Sequence, residues 1–288
     1  MPQIGELYFA SKNPIYYGKD ITYASSGFPA TTLSISLGNP FKILLSESPN
    51  HLISYRAHLI KCGVLRTSQS TEEKALTVYL TKSSNLTHFC EKFILKNNDW
   101  ADISAYFRKS EIHKIKSSLE RGMNCENIDA VHSLIEEFIL ESGLNNHSHN
   151  KKPIDPRILS VIHFLIDNVE TGDGKVDFSR ISELSDISLS RLQHLFKEET
   201  GKSIQRFYIA LRTLKFFKII SGVSTLTEAA HLCGFTDSSH MNHVFMKLYG
   251  IKPSIYFPGK GRNYIQVQFL SKNPFDAVLP SEMIFVNQ

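Results

Sequence analysis

The sequence predicts an α+β fold, a sheet-rich N-terminal domain with helices of its own followed by an all-α domain. Three observations carry that expectation. Short runs near the N-terminus are rich in β-branched and aromatic residues with rough alternation. From Asp102 the apolar residues recur instead at i, i+3 and i+4. Between positions 190 and 256 one helical segment occurs twice.

The strands are read from "TTLSISLGNPFKILLS" and "KALTVYLTKS", with Gly38-Asn39-Pro40 as a turn inside the first. Helical spacing predicts helices over 101–121 and 127–142. Val131, Leu134, Ile135, Phe138 and Ile139 line one face of the second, suited either to packing on the β-domain or to a dimer seam. Gly143 stands where that helix would stop. The polar "NNHSHNKKPIDP" then reads as a linker, with His147 and His149 in solvent. The divisions that follow are an N-terminal domain over 1–143, a linker over 144–154, a helical domain over 155–257, and a strand-like C-terminal extension over 258–288.

Bulk properties narrow the function. Of 288 residues, 42% are hydrophobic and 21% charged, which are globular values. No apolar run approaches the roughly 20 residues of a membrane span. The first residues lack a basic region followed by an apolar block, so a cytoplasmic location is expected. A net charge of +4 with pI ≈ 8.7 permits a nucleic-acid partner. Cys62, Cys90, Cys125 and Cys233 form no CxxC pair, which argues against a disulfide framework or a structural zinc module. There is no GxSxG, phosphate loop or HExxH, so neither an enzyme nor a cofactor is expected.

The repeat is the most informative feature. "SRLQHLFKEETGKSIQRF" (190–207) aligns without a gap on "SHMNHVFMKLYGIKPSIY" (239–256). Leu192, Leu195 and Phe196 match Met241, Val244 and Phe245, one buried face on each helix. Gly201 and Gly250 fall where a helix ends in a left-handed turn. A shorter helix and a tight turn precede each copy. In the second, Thr225 and Glu228 form a capping box, Ala229 and Ala230 are small, and Gly234 opens the turn. In the first, "DFSRISELSDIS" plays the same part, with Ser182 as the small residue and Asp186 in the turn. "YIALRTLKFFKIISG" joins the two as one long amphipathic helix. This is the helix-turn-helix pattern, made twice.

Off the buried stripes lie Ser188, Ser190, Arg191, Gln193, His194 and Lys197 in the first copy, and Ser238, Ser239, His240, Asn242 and His243 in the second. Gln and Asn suit adenine edges, while Ser, His and Arg reach bases or phosphates. Acidic residues are absent from both faces apart from Asp237 at an N-cap. His231, Cys233, His240 and His243 also invite a zinc reading. Two residues apart on a helix, however, His231 and Cys233 would point about 200° apart. His243 moreover repeats His194, which has no cysteine near it.

Residues from about 155 to 256 resemble the DNA-binding domain of AraC/XylS-type transcription regulators. The likeness lies in "SLSRLQHLFKEETGKSIQRFYIALRTLKF" and "TEAAHLCGFTDSSHMNHVFMKLYGIKPS", the latter with the Gly-x-x-Pro-Ser signature at Gly250, Pro253 and Ser254. It implies a seven-helix domain whose two recognition helices enter adjacent major-groove segments. It implies base contacts from Ser190, Gln193, His194, Ser238, Ser239, His240, Asn242 and His243. Phosphate contacts would come from Arg191, Lys197, Lys202, Arg206 and Arg212. It also implies an N-terminal domain with a cupin-type β-barrel for a small effector and helices for dimerisation. The partners implied are double-stranded promoter DNA, RNA polymerase, a small-molecule effector and a second copy of the chain, in transcription regulation that includes activation.

The first 143 residues carry no sharp motif of their own, and His51, His58 and His88 fit no metal-ligand spacing. Two other readings compete, a metal-dependent module centred on 231–243 and a protein-interaction module built on the duplicated helices. Lastly, "FLSKNP" (269–274) echoes "FASKNP" (9–14). With the strand-like "IQVQFL" and "MIFVN", the echo suggests a tail that folds back onto the N-terminal domain.

Overall fold

The computed structural model describes residues 3–9, 13–19, 26–27, 30–45, 53–69, 73–80, 85–140, 154–171, 176–257 and 264–270. These fall into two compact units, one within Met1–His149 together with Phe245–Lys272, the other within Asn150–Val244. His51, Gly143, His147, His149 and "MIFVN" lie outside the described residues.

The first unit contains β1 (Gln3–Phe9), β2 (Ile15–Lys19), β3 (Ser26–Gly27), β4 (Thr31–Ser36), β5 (Phe41–Leu45), β6 (Ile53–Tyr55), β7 (Ala57–Ile60), β8 (Leu65–Gln69) and β9 (Lys74–Leu80). Then come α1 (Asn85–Phe89), a π-helical turn at Cys90–Leu95, β10 (Trp100–Asp102), α2 (Lys109–Glu120) and α3 (Cys125–Leu140), with β11 (Tyr264–Phe269) supplied from far downstream. The larger sheet has the order β10-β7-β4-β9-β2-β1-β11, and the smaller β3-β8-β5-β6. Every residue of β4 is buried. Its polar side chains find partners: the Ser34 and Thr77 hydroxyls hydrogen-bond across the sheet at 3.0 Å, Thr31 donates to Glu91, and Ser36 donates to the Asn39 carbonyl. Val131, Ile135, Phe138 and Ile139 join Leu33, Leu59, Leu76 and Val78 in one core, with Leu134 at its margin. Packing within the unit therefore uses the stripe that could have served a dimer.

The helix expected from position 101 begins only at Lys109. Trp100–Asp102 pairs antiparallel with β7, and Ser104–Tyr106 is a 3₁₀ turn. Local side chains capture the backbone here, as Asp and Ser do when they compete with helix formation. Asp102 Oδ1 accepts from the Ser104 N–H at 2.8 Å, and Ser104 Oγ accepts from the Arg56 and Ala57 N–H groups at 3.1 Å each.

The tail does fold back. β11 runs parallel to β1 with Phe9 opposite Phe269, their rings stacked 4.8 Å apart. The Leu270 N–H continues the ladder to the Phe9 carbonyl at 2.9 Å. The echoing segments thus begin side by side, joined at their matching phenylalanines.

The second unit holds α4 (Pro156–Thr171), α5 (Phe178–Ser185), α6 (Leu189–Thr200), α7 (Ile204–Ile219), α8 (Leu226–Leu232) and the start of α9 (Ser238–Tyr249). The seventh helix implied by the resemblance is here the 3₁₀ turn Pro253–Tyr256. Helix α7 is not the amphipathic helix expected. Ile204, Phe207, Tyr208, Leu211, Thr213, Leu214, Phe216 and Phe217 are all buried, covering most of its circumference.

Ile265, at the heart of β11, is 1% exposed. Ile265→Ala should cost about 2–4 kcal/mol by removing buried methyl groups that β1 cannot collapse onto. Deleting 260–288 should lower the melting temperature of the N-terminal unit further. Chemical denaturation that finds both variants as stable as the parent would show that β11 adds nothing.

Candidate nucleic-acid interface

Each helix pair is built by local chemistry. In the first, Asp177 caps α5 by accepting from the Ser179 and Arg180 N–H groups at 3.0 and 3.3 Å. The Ser179 hydroxyl and these N–H groups hold its carboxyl below the usual aspartate range. Asp186 ends α5 in the left-handed region at φ 51°, which Asp tolerates better than most residues. Ser188 then caps α6, its Oγ accepting from the Arg191 N–H at 3.4 Å. Ser182 is half-buried and its hydroxyl donates to the Ile187 carbonyl at 2.9 Å, while Ser185 is 1% exposed.

In the second pair, Thr225 Oγ1 accepts from the Glu228 N–H at 3.1 Å. The Glu228 carboxylate reaches back to the Ser224 N–H at 2.9 Å, one residue further than a capping box requires. Gly234, at φ 74°, makes a Schellman end to α8. Its N–H donates to the His231 carbonyl and that of Phe235 to the Ala230 carbonyl, both at 2.8 Å. Asp237 caps α9 through the His240 N–H at 2.7 Å. The second turn is one residue longer than the first, because Ser188 and Asp237 hold equivalent caps while Asp186 and Gly234 hold equivalent left-handed corners.

The polar faces lie largely as expected. Ser190, Arg191, Gln193, His194 and Lys197 are exposed on α6, as are Ser239, His240 and His243 on α9, with Ser238 and Asn242 half-buried. Arg206 is exposed and Lys202 half-buried. Two details differ. The face of α6 is not free of acidic groups, since Glu198 Oε2 stands 3.8 Å from His194 Nδ1, one turn along. On α9, His240 is held from two sides that the sequence did not reveal. Its Nδ1 lies 3.3 Å from Thr236 Oγ1, and its ring meets the Phe235 ring edge-on at 5.6 Å.

The histidines and cysteine of residues 231–243 do not converge. His231 is exposed while Cys233 is 2% exposed, and burial pushes its thiol up to about 12. Among the described residues no group of three or more His, Cys, Asp or Glu is arranged to hold a metal.

A family model described as a helix-turn-helix domain matches residues 181–258, which span both units of the repeat. These residues thus carry a helix-turn-helix domain of the AraC type. Over 80 residues it is 34% identical to the HTH-type transcriptional activator RhaR of Pectobacterium atrosepticum, covering 27% of this chain and 28% of that one. Over 129 residues it is 23% identical to the HTH-type transcriptional regulator GbdR of Pseudomonas aeruginosa, covering 42% of this chain and 34% of that one. The matches thus span about a third of these relatives' length. Among solved structures, an apo ToxT variant from Vibrio cholerae shares the fold over 85% of this chain and 96% of its own, with a TM-score of 0.52 at 12% identity.

Within the AraC-type domain, Arg212 departs from expectation. Expected at a phosphate, it is buried at 8% exposure on α7. Its Nε donates to the Cys233 carbonyl at 2.7 Å, and its guanidinium lies 4.0 Å over the Phe235 ring. Burial pushes its pKa down from the usual arginine value. Its residue type is that of a phosphate ligand, but its place on a helix packed on most sides turns it inward. It acts as a strut between α7 and the second turn. Arg212→Met should cost about 1–3 kcal/mol, because the Cys233 carbonyl loses its charged donor while the volume is kept. Thermal unfolding that matches the parent would refute the strut.

Proposed function

We propose that the chain is a sequence-specific DNA-binding transcription regulator of the AraC/XylS type, with α6 and α9 entering adjacent major-groove segments. One observation carries this reading: the two helices present matched exposed or half-exposed polar faces at equivalent positions. Ser190, Gln193 and His194 correspond to Ser239, Asn242 and His243. A surface made twice suits a partner that is itself periodic, and duplex DNA repeats its major groove once per helical turn. These residues, with Ser238 and His240, are the base-reading set. Arg191, Lys197, Lys202 and Arg206 are the phosphate set, from which Arg212 is withdrawn.

In this reading the DNA-reading domain spans 155–257, joined by 144–154 to an effector and dimerisation domain over 1–143. A small effector there controls the DNA-reading domain, and the chain works in the cytoplasm as a homodimer that activates transcription through RNA polymerase. Support comes from relatives named as transcriptional activators or regulators. Among the described residues no helix is long and apolar enough to cross a membrane.

Base and phosphate residues should separate in measurement. Gln193→Ala or Asn242→Ala should cost about 1–3 kcal/mol on the preferred duplex and relax preference at one position each. Arg206→Ala should weaken all duplexes alike and reduce the salt slope by about one, whereas Arg212→Met leaves that slope unchanged. Binding titrations on a randomised duplex pool, at several salt concentrations, decide this. Unaltered preference in both Gln193 and Asn242 variants would refute base reading.

The histidines give an independent check. A His240→Gln, His243→Gln double variant should bind the preferred duplex about tenfold or more weakly than the parent, by loss of contacts worth about 1–3 kcal/mol each. Equal affinity in the double variant and the parent would remove both histidines from the interface.

A further inference from the structure

The N-terminal unit holds a group of charges that neither its core nor the DNA-reading face employs. Lys61 follows the last residue of β7, and Lys92 and Lys96 lie in and just after the π-helical turn that extends α1. Together with His88, Glu91 and Leu95 they line a cavity of about 310 Å³. The three lysines are exposed, and none has an ion-pair partner among the described residues. Leu95, 1% exposed, gives the cavity an apolar floor.

The one carboxylate here is fixed in the wall. Glu91 Oε1 accepts from the Thr31 hydroxyl at 2.7 Å, and Thr31 Oγ1 itself accepts from the Cys62 N–H at 3.2 Å. Three ammonium groups against one carboxylate leave a charge of +2 around the cavity, before His88 is counted. Like charges gathered around a concave space repel one another, and a bound anion of matching charge relieves that repulsion.

The backbone points the same way. Lys96 lies at φ 54°, ψ −111°, a conformation that glycine adopts freely and an L side chain does not. The turn before it is π-helical, a geometry that is rare and frequent at functional sites. Non-glycine residues held in such conformations gather at ligand clamps, where the surrounding structure imposes them. Here the imposed residue is one of the three lysines on the cavity.

We infer that this cavity binds a small doubly charged anion, of the phosphate-monoester or dicarboxylate class. A monoanion would leave the surplus charge half matched, and the volume suits a metabolite rather than a macromolecule. As the point where an effector acts, the site rests on the regulatory reading above; as an anion site it does not.

The test is calorimetric titration of the full chain with inorganic phosphate and, separately, malonate, against sodium chloride at matched ionic strength. Saturable binding of both dianions is expected, weakened about tenfold in Lys92→Gln and in Lys96→Gly by loss of one charge-assisted contact. Lys96→Gly should at the same time raise the melting temperature of the free protein, since glycine relieves the strain. Stability and affinity moving in opposite directions would mark a residue held in strain for its ligand. Equal affinity in the parent and both variants, or an effect that chloride reproduces, would overturn the site. Anion binding that leaves DNA affinity unchanged would uphold the site and remove the effector reading.

Discussion

A helix buried on nearly every side must satisfy its polar side chains against its neighbours, and α7 does so in ways that arrange the whole AraC-type domain. Tyr208 donates its hydroxyl to Asn168 on α4. Lys215 Nζ donates to the Val169 carbonyl at 2.6 Å, filling an acceptor left open at the end of α4. Phe207 packs edge-on against Phe196 of α6 at 5.3 Å. Arg212 closes the set at the end of α8. Two of these contacts tie α7 to the end of α4, one to α6 of the first helix pair and one to the turn that follows α8 in the second. The exposed face of α6 and the turn before α9 are therefore placed by groups on the inner side of the domain. Arg212 Nη2 is buried without a hydrogen-bond partner among the described residues, so its guanidinium is held by the Nε bond and the face of Phe235.

The two pairs share a plan and differ in stiffness. In the second, Gly234 makes its corner without side-chain strain, and the Arg212–Phe235–His240 stack supports the turn from inside. In the first, Ile187 stands where Phe235 would, and Asp186 occupies the left-handed corner. Lacking an aromatic ring there, the first turn has no equivalent of the cation stacked on Phe235. His240 and its positional counterpart Arg191 are both exposed, but His240 is also held by Phe235 and Thr236. A side chain held before binding loses less entropy on binding.

Much of this was legible in the sequence, and the reasons are local. Gly201, Gly250, Asp237 and the apolar stripes mark caps, corners and buried faces that depend on neighbours a few residues away. The strands of "TTLSISLGNPFKILLS" were legible for the same reason. What was not legible depends on distant packing. Burial of Arg212 follows from α7 lying within its unit, which the residue type alone does not announce. The late start of α2 follows from pairing of Trp100–Asp102 with β7, and from Ser104 bonding to the backbone of Arg56 and Ala57. Glu198 is the exception, because its i, i+4 spacing from His194 puts both on one face and is legible locally.

The sheet raises a question of order. β1 is paired on one side by β2, only a few residues away, and on the other by β11, which follows the entire AraC-type domain. Gln268 Nε2 reaches Glu6 Oε1 at 3.4 Å across 262 positions. Loop closure over such a span costs only about 0.6 kcal/mol for each doubling of length, so the separation is tolerable once β11 buries Ile265 and stacks Phe269 on Phe9. The kinetic consequence is larger, because pairings distant in sequence form late. Until they do, β1 is an open edge carrying Leu7 and Phe9. Glu6 on that strand supplies a charge of the kind that discourages wrong edge pairing. The N-terminal sheet is thus completed by chain that follows the two helix pairs in sequence.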